Sequence, residues 1–336
     1  MSTSIPALEL LSKEAEKKLK LKIVSGKQWI SKKITTPRIQ KPGLLLTGLL
    51  DNFHPDRTLI FGKAEIGYLK SLSNEMLLPV LKKLEKTPSP CYAVTRGQKI
   101  PQFLADLTER KKIPLFKTPL TSSLFIDRLT KYLEDKLAPT TTVHGVFVDV
   151  LGVGILILGK SGIGKSECAL DLISRGYRLV SDDVVVIKKM SPSTIFGIAA
   201  DIIKYHMEIR GLGVVNIKDI FGITAVREKK QMDIVVELVA WDPEGKYDRL
   251  GFDEGKYEVL EVEFPFLRIP VSPGRSIATI VEVAARNQIL KIMGYHSAFE
   301  FQKQLEHAIH KNNKKEKRRN DRRRVDRRKT GIITQK

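Results

Sequence analysis

The sequence is poor in cysteine and has no long apolar stretch. Its 336 residues include only two cysteines, Cys91 and Cys168. Two cysteines make neither a disulfide framework nor a set of metal ligands, which excludes the disulfide-rich secreted class and predicts a reduced compartment. No apolar run is long enough to cross a bilayer, and the first residues lack the pattern of a signal peptide. We therefore expect a cytoplasmic protein that does not span a membrane.

Acidic residues are also few compared with basic ones. The chain has 58 Lys and Arg against 38 Asp and Glu, a formal net charge of +20. Residues 311–336 hold 13 of the basic and three of the acidic residues, so half of the excess lies there. This segment lacks apolar periodicity, which predicts a disordered basic tail. Two interpretations stay open: a solvated tail that aids solubility, or a contact surface for RNA or an acidic partner.

Apolar residues, by contrast, are plentiful enough for large cores. They make up 42% of the chain, and a length of 336 residues favours two domains. Over residues 1–137, apolar runs such as Thr58–Phe61 alternate with helical patterns such as Pro101–Arg110, which predicts an N-terminal α/β domain. Residues 138–142 contain Pro139 and three threonines and are interpreted as a linker.

A second α/β domain is predicted over residues 143–310. Its first strand is expected at Val143–Val150 and carries His144. A further strand is expected at Val259–Val262, a helix at Ser276–Met293, and a last helix from Ser297, where the sequence fits a capping box.

One segment of the second domain has the spacing of a phosphate-binding loop. The apolar strand Gly152–Leu158 runs into Gly159-Lys160-Ser161-Gly162-Ile163-Gly164-Lys165-Ser166, and a helix follows. This is the G-x-x-x-x-G-K-[ST] pattern in the strand, loop and helix setting that it needs. The glycines let backbone N–H groups converge on phosphate oxygens at a helix N-terminus. Lys165 can reach the β- and γ-phosphates, and the Ser166 hydroxyl can bind Mg²⁺.

A pair of carboxylates follows the next apolar strand. Asp182 and Asp183 lie at the end of that strand. Beside a phosphate loop, a carboxylate either holds Mg²⁺ or accepts the proton of an attacking hydroxyl. Without a phosphate loop nearby, Asp182 and Asp183 would best be interpreted as residues that form a turn. Beside the phosphate loop, a catalytic or metal-binding role is the better interpretation.

Three other segments carry charge next to glycine. They are Met207-Glu208-Ile209-Arg210-Gly211-Leu212-Gly213-Val214-Val215-Asn216, the stretch 247–251 around Arg249, and Pro270-Val271-Ser272-Pro273-Gly274-Arg275. Each one alone is compatible with an ordinary loop, a surface arginine or a turn. In context, Arg249 can supply planar charge to a phosphoryl group, and the last segment precedes a helix as an anion site would.

Together these residues resemble the bifunctional HPr kinase/phosphorylase family, bacterial enzymes that phosphorylate a serine of the phosphocarrier protein HPr. The resemblance is carried by motifs in family order: His144-Gly145-Val146, Gly159–Ser166 with Glu167, Asp182-Asp183, Glu208–Gly213, Arg249-Leu250-Gly251 and Pro273-Gly274-Arg275. The first half is similar through Thr95-Arg96-Gly97 and Ile113-Pro114-Leu115, so the resemblance extends to about residue 310.

The resemblance implies a fold and a set of roles. It implies a P-loop kinase domain with a phosphoenolpyruvate carboxykinase-like core, with ATP or pyrophosphate bound at Gly159–Ser166 and Mg²⁺ on Ser166 and Glu208. Asp183 would be the general base of the kinase reaction and the general acid of the reverse one. Lys165, Arg249 and His144 would stabilise the transferring group. The family also implies HPr as substrate, a homohexamer, and a loop at Pro270–Arg275 that serves chiefly dephosphorylation.

Three positions depart from the family pattern. Ser272 replaces a usually basic residue and Ser276 a usual Asn, which leaves the strength of the phosphorylase activity open. Lys160 replaces a commonly acidic residue and is expected to shift nucleotide preference. Two rival functions remain: a P-loop NTPase coupled to RNA or an acidic partner through the tail, and a non-catalytic adaptor with a vestigial nucleotide site.

Overall fold

A computed structural model describes residues 4–47, 54–242 and 255–296, together with 300, 303, 304 and 306. The chain divides into two compact units, Met1–Pro139 and Thr140–Lys336. Arg249, most of the helix expected from Ser297 and the basic tail 311–336 lie outside the described residues.

The first unit alternates strands and helices, as its sequence predicts. Its elements are β1 (Ile5–Pro6), α1 (Lys13–Leu19), β2 (Lys22–Ser25), β3 (Lys33–Ile34), β4 (Ile39–Gln40), α2 (Gly43–Thr47), β5 (Thr58–Phe61), α3 (Lys63–Ser71), α4 (Asn74–Lys86), β6 (Tyr92–Val94), α5 (Gln102–Arg110), β7 (Leu115–Lys117) and α6 (Ser122–Leu137). Strands β4, β5, β6 and β7 run parallel in that order, and β2 pairs antiparallel with β7.

Apolar layers cover this sheet. Every residue of β5 and β6 is buried, which fits a parallel sheet enclosed by helices. Helix α6 buries Phe125, Leu129, Tyr132, Leu133 and Leu137, at the spacing of one helical face. The N-terminal domain is therefore α/β, as expected.

The second unit contains a larger set of strands. Its elements are β8 (Thr140–His144), β9 (Val146–Val150), β10 (Val153–Gly159), α7 (Lys165–Ser174), β11 (Arg178–Ser181), β12 (Val184–Ser191), β13 (Thr194–Ala199), β14 (His206–Ile209), β15 (Gly213–Asn216), α8 (Ile217–Phe221), β16 (Lys229–Gln231), β17 (Ile234–Ala240), β18 (Gly255–Val259), β19 (Val262–Val271) and α9 (Ile277–Ile292).

Among the described residues these strands form a six-stranded sheet, a four-stranded sheet and a hairpin. The order of the larger sheet is β11-β9-β10-β17-β19-β18, and β14 pairs with β15 in the hairpin. Strands β10, β17 and β19 run parallel, whereas β9 runs antiparallel to both β10 and β11. Strand β11 therefore points the same way as β10, and both end at the same edge of the sheet.

The strand that leads into the phosphate loop lies inside this sheet. The first five residues of β10 are buried between β9 and β17, which explains the apolar run at Gly152–Leu158. Helices α7 and α9 pack against each other beside it, with Ala169, Leu172, Val281 and Ala285 in one core. Cys168 of that core and Cys91 of the first unit are free buried thiols, and burial raises the pKa of each to about 12. Both thiols are therefore unreactive at neutral pH.

Several expected boundaries were wrong. Residues 140–142, interpreted as linker, belong to β8, and the strand expected at Val143–Val150 is two strands that part at Gly145. The strand expected at Val259–Val262 is the turn of the β18–β19 hairpin, where Leu260 and Glu261 have positive φ. In the loop expected at 270–275, Pro270 and Val271 are strand residues of β19.

Candidate functional site

The phosphate loop joins the end of β10 to the start of α7. Gly159, Gly162 and Gly164 have φ angles of 144°, 81° and 102°, which side chains with a Cβ rarely adopt. The chain turns sharply here and presents the N-terminus of α7, which begins at Lys165. The segment therefore has the shape that its spacing predicts.

Lys165 bends back over the loop. Its ammonium donates hydrogen bonds to the carbonyl oxygens of Gly159 and Lys160, at 3.0 and 3.1 Å. These bonds hold a positive charge against the concave side of the loop. An anion bound there would meet both this charge and the partial positive charge of the helix N-terminus.

A buried carboxylate connects the loop to the β14–β15 hairpin, most of which is the segment 207–216, called the signature segment below. The Ser166 hydroxyl donates to Asp182 Oδ1 at 2.9 Å, and the backbone N–H of Glu208 donates to Oδ2 at 3.3 Å. Asp182 is only 4% exposed. Burial raises its pKa above the ordinary value, while the two hydrogen bonds oppose that shift.

Asp183 has the opposite exposure. Its φ of 64° turns the backbone at the end of β11, and its carbonyl oxygen accepts the N–H of Gly145 at 2.9 Å. Its carboxylate is 81% exposed and lies 3.9 Å from Nδ1 of His144. Two adjacent residues thus supply one carboxylate that is locked inside and one that is free to meet a substrate.

The signature segment forms most of the β14–β15 hairpin. Met207 is buried, and Glu208, its neighbour on β14, faces the cavity. Arg210 in the turn places its guanidinium beside Gly162, so close that a Cβ there would lie 2.8 Å from Nη2. The hairpin therefore covers one side of the phosphate loop.

These groups surround one open cavity. Its volume is about 150 Å³. Its walls are formed by the phosphate loop, the two aspartates and the hairpin: Val146, Ser161, Gly162, Gly164, Lys165, Ser166, Glu167, Asp182, Asp183, Glu208 and Arg210. A cavity with this lining suits a polyphosphate together with an attacking group.

Other residues singled out from the sequence lie elsewhere. Pro270 and Val271 end β19 and residues 272–275 follow it, at the sheet edge where the phosphate loop lies, but none of them is among the residues lining the cavity. Ser276 caps α9 by accepting the N–H of Thr279. His144 neighbours Asp183 without lining the cavity.

Sequence reasoning assigned no separate role to Asp182 or Arg210. The Asp-Asp pair was visible, but which member turns inward depends on how pairing with β9 places β11 in the sheet. The contact between Arg210 and Gly162 joins residues far apart in the chain, and no local pattern signals it.

The oxygen atoms of the site fit a magnesium ion. Ser166, Asp182 and Glu208 bring a hydroxyl and two carboxylates to one cavity, and Mg²⁺ prefers such oxygen ligands together with phosphate and water. Within the described residues, no group of three or more His, Cys, Asp or Glu side chains is placed to hold a metal. An ion here would therefore depend on phosphate oxygens for part of its shell.

Family models cover both units of the chain. The model described as HPr Serine kinase N terminus matches residues 9–133, and the one described as HPr Serine kinase C-terminal domain matches residues 135–305. The chain belongs to the HPr serine kinase family. The resemblance inferred from the motifs is thus confirmed, and residues 311–336 lie outside both matched ranges.

Relatives match over nearly their whole length. An HPr kinase/phosphorylase of Geobacter sulfurreducens is 54% identical over 299 residues, 89% of this chain and 94% of that protein. One from Geobacillus kaustophilus is 43% identical over 298 residues, 89% of this chain and 96% of that protein. A solved Hpr(Ser) kinase/phosphatase of Coxiella burnetii is 31% identical, with a TM-score of 0.44 and coverage of 48% of this chain and 98% of that chain.

No helix in the described part of the chain is long and apolar enough to span a membrane.

Proposed function

We propose that this chain is a protein-serine kinase and phosphorylase that acts on HPr in the cytoplasm. It transfers a phosphoryl group from ATP or pyrophosphate to a serine of HPr, and it uses inorganic phosphate to remove that group again. One observation carries the proposal: a single cavity is lined by five residues of the phosphate loop, by the exposed carboxylate of Asp183 and by the acidic signature residue Glu208. The relatives named HPr kinase/phosphorylase support the choice of protein substrate.

In the kinase direction, Asp183 accepts the proton of the serine hydroxyl. The serine oxygen forms a bond to the γ-phosphorus, the bond from that phosphorus to the bridging oxygen breaks, and ADP leaves. The exposure of Asp183 at the cavity wall lets a hydroxyl on another protein reach it.

In the phosphorylase direction, the same groups work in reverse. An oxygen of inorganic phosphate forms a bond to the phosphorus of phosphoserine, and the bond to the serine oxygen breaks. Asp183 returns the proton to that oxygen, and pyrophosphate is the second product. One site serves both reactions because each is a transfer between a phosphate oxygen and a serine oxygen.

The remaining groups bind and stabilise charge. Lys165 and the loop N–H groups hold the polyphosphate, and His144 and Arg249 are assigned to the transferring group, with Arg249 lying outside the described residues. Mg²⁺, when bound by Ser166 and Glu208, neutralises phosphate charge. Asp182 orients the Ser166 hydroxyl and fixes the backbone of Glu208.

Two further elements belong to the proposal: assembly as a homohexamer, and a role of Pro270–Arg275 in dephosphorylation. The rival NTPase hypothesis depends on the basic tail, which lies beyond both family matches. No other observation favours that rival, so we put forward one function.

The test uses labelled substrates. The full chain is incubated with Mg²⁺, ATP labelled at the γ-phosphate, and HPr with Ser or Ala at the acceptor position. We expect label on the Ser form alone, and its release as pyrophosphate after addition of inorganic phosphate. Absence of transfer to the Ser form would contradict the proposal, and release as inorganic phosphate would contradict the phosphorylase mechanism.

A further inference from the structure

The β14–β15 hairpin has two faces of different character. Side chains directly opposite each other in an antiparallel pair point to the same face. Met207 is paired with Val215, and both pack into the core beneath α7 and β10. Glu208 is paired with Val214, so these two side chains share the other face.

An apolar side chain therefore lies next to the acidic signature residue. Val214 is 69% exposed although its partner Glu208 lines the cavity. Opposite side chains in such a pair have Cβ atoms about 5 Å apart. Leu212, in the turn between the strands, is 70% exposed and lies two residues after Arg210, which also lines the cavity. We call Leu212 and Val214 the apolar ledge.

The apolar ledge exposes aliphatic side chains to water beside the cavity, which is unfavourable unless a ligand covers them. Single exposed apolar residues are common on protein surfaces. These two, however, lie on the same short hairpin as the carboxylate and the guanidinium of the cavity. Phosphate groups and Mg²⁺ gain nothing from contact with aliphatic side chains. A ligand that gains from them must itself carry apolar groups beside the group that reacts.

A protein that presents a serine to Asp183 meets this requirement. To bring the hydroxyl into the cavity, its surrounding surface has to cover the rim where Leu212 and Val214 lie. We propose that the apolar ledge is a docking surface for apolar side chains next to the target serine of the protein substrate. The inference rests on the proposed function, since it names the part of the same site that selects a protein rather than a nucleotide.

The two reaction directions make the proposal specific. The same protein body docks whether it carries serine or phosphoserine. The ledge therefore contributes equally to the KM of HPr in the kinase reaction and of phospho-HPr in the phosphorylase reaction. It contributes nothing to the KM of ATP, pyrophosphate or inorganic phosphate.

The experiment compares Val214→Ser and Leu212→Ser with the matched control Val283→Ser. Val283 lies on α9, is 57% exposed, and is not among the residues lining the cavity. We expect each ledge variant to raise the KM of HPr and of phospho-HPr about five- to tenfold, as loss of a partly buried aliphatic contact does. The KM of ATP and of pyrophosphate should stay at the wild-type value, and Val283→Ser should change none of them.

With an active wild-type chain, three results would overturn the proposal. An unchanged KM for HPr in both ledge variants would show that the substrate does not touch them. A raised KM for ATP but not for pyrophosphate would assign the ledge to the nucleotide base. A changed sedimentation coefficient with unchanged KM values would assign it to contact between copies of the chain. If the wild-type chain fails to phosphorylate HPr, the proposed function falls, and the ledge proposal falls with it.

Discussion

The edges where the parallel strands end are built differently in the two units. In the first unit, polar groups past β5 and β6 bond to one another. Glu65 accepts the N–H of Gly62 at 2.9 Å, and the hydroxyls of Thr95 and Ser122 are 2.7 Å apart. In the second unit, the groups past β10 and β11 surround an open cavity. One unit thus carries a closed edge and the other an open one, because the loops that follow the strands differ.

The largest effect is expected at the open edge. Asp183→Asn keeps the shape of the side chain and tolerates the positive φ, but it removes the proton acceptor. Phosphoryl transfer to HPr should fall about 10²–10⁴-fold while nucleotide binding persists. Transfer assays and nucleotide titration measure the two quantities. Asp127→Asn, at an exposed position of the first unit, is the matched control, and wild-type rates in Asp183→Asn would remove Asp183 from the mechanism.

A glycine at each edge sharpens the comparison. Gly162→Ala would place a Cβ 2.8 Å from the Arg210 guanidinium at a φ of 81°. Strain of this kind costs on the order of 1–3 kcal/mol, and it falls on the phosphate loop, so we expect transfer to drop about tenfold. The melting temperature should fall as well, since strain in the folded state lowers its stability. Loss of stability without loss of activity would be the contrary result.

Gly62→Ala is the counterpart at the closed edge. A Cβ there would lie 2.8 Å from Ser122 Oγ and 2.9 Å from Glu65 Oε2, although φ is ordinary. We expect the free energy of unfolding of the first unit to fall by about 1–3 kcal/mol from overpacking, with transfer unchanged. Urea denaturation measures the free energy of unfolding, and the transfer assay measures the rate of phosphoryl transfer. If Gly62→Ala lowers the activity without lowering the stability, the closed edge of the first unit has a role in the reaction and not only in the fold.

A smaller effect concerns pH and the first unit alone. Burial lowers the pKa of Lys111 to about 8, and its ammonium donates to the carbonyl oxygen of Glu85 at 2.8 Å. Between pH 8 and the unfolded pKa the unfolded chain binds more protons, so stability rises with pH in that window. Because much of the side chain still meets solvent, we expect a rise of about 1 kcal/mol. Denaturation monitored through Trp29, in a Trp241→Phe background, measures it, and Lys111→Gln should flatten the slope. An equal slope in the variant would assign the rise to other groups.

The smallest effect is expected from the tail. Deletion of residues 311–336 should leave the rate of transfer within about twofold of the full chain, because the segment follows both matched domains. The same pair of proteins is titrated with RNA at several salt concentrations. Salt-dependent RNA binding that disappears with the tail would instead support the rival function.

The sequence predicts those parts of the molecule whose structure is determined by residues close together in the chain. The strand β10, the loop glycines and the start of α7 follow from an apolar run, a spacing and a helix pattern within one stretch. The Asp182-Asp183 pair was located too, but its division into an inward and an outward carboxylate depends on β9, which runs antiparallel between β11 and β10. A motif search sees only that the two residues are adjacent.

Other features depended on contacts between distant residues. The signature segment was expected as a loop, since glycines interrupt it at Gly211 and Gly213, but pairing of β14 with β15 makes it a hairpin. Thr140–His144 was assigned mostly to a linker, and β8 is ordered by its pairing with β12. Strands β8, β14 and β15 are each too short to be recognised from the periodicity of their apolar residues.

The left-handed backbone of Asp183 limits how this enzyme can change over evolutionary time. Glycine, asparagine and aspartate accept such a conformation readily, and of these aspartate alone is an acid. Glutamate, the usual conservative exchange for a proton carrier, would have the right charge on a backbone that disfavours it. A lineage that loses the aspartate therefore has no other residue type that restores both geometry and acidity.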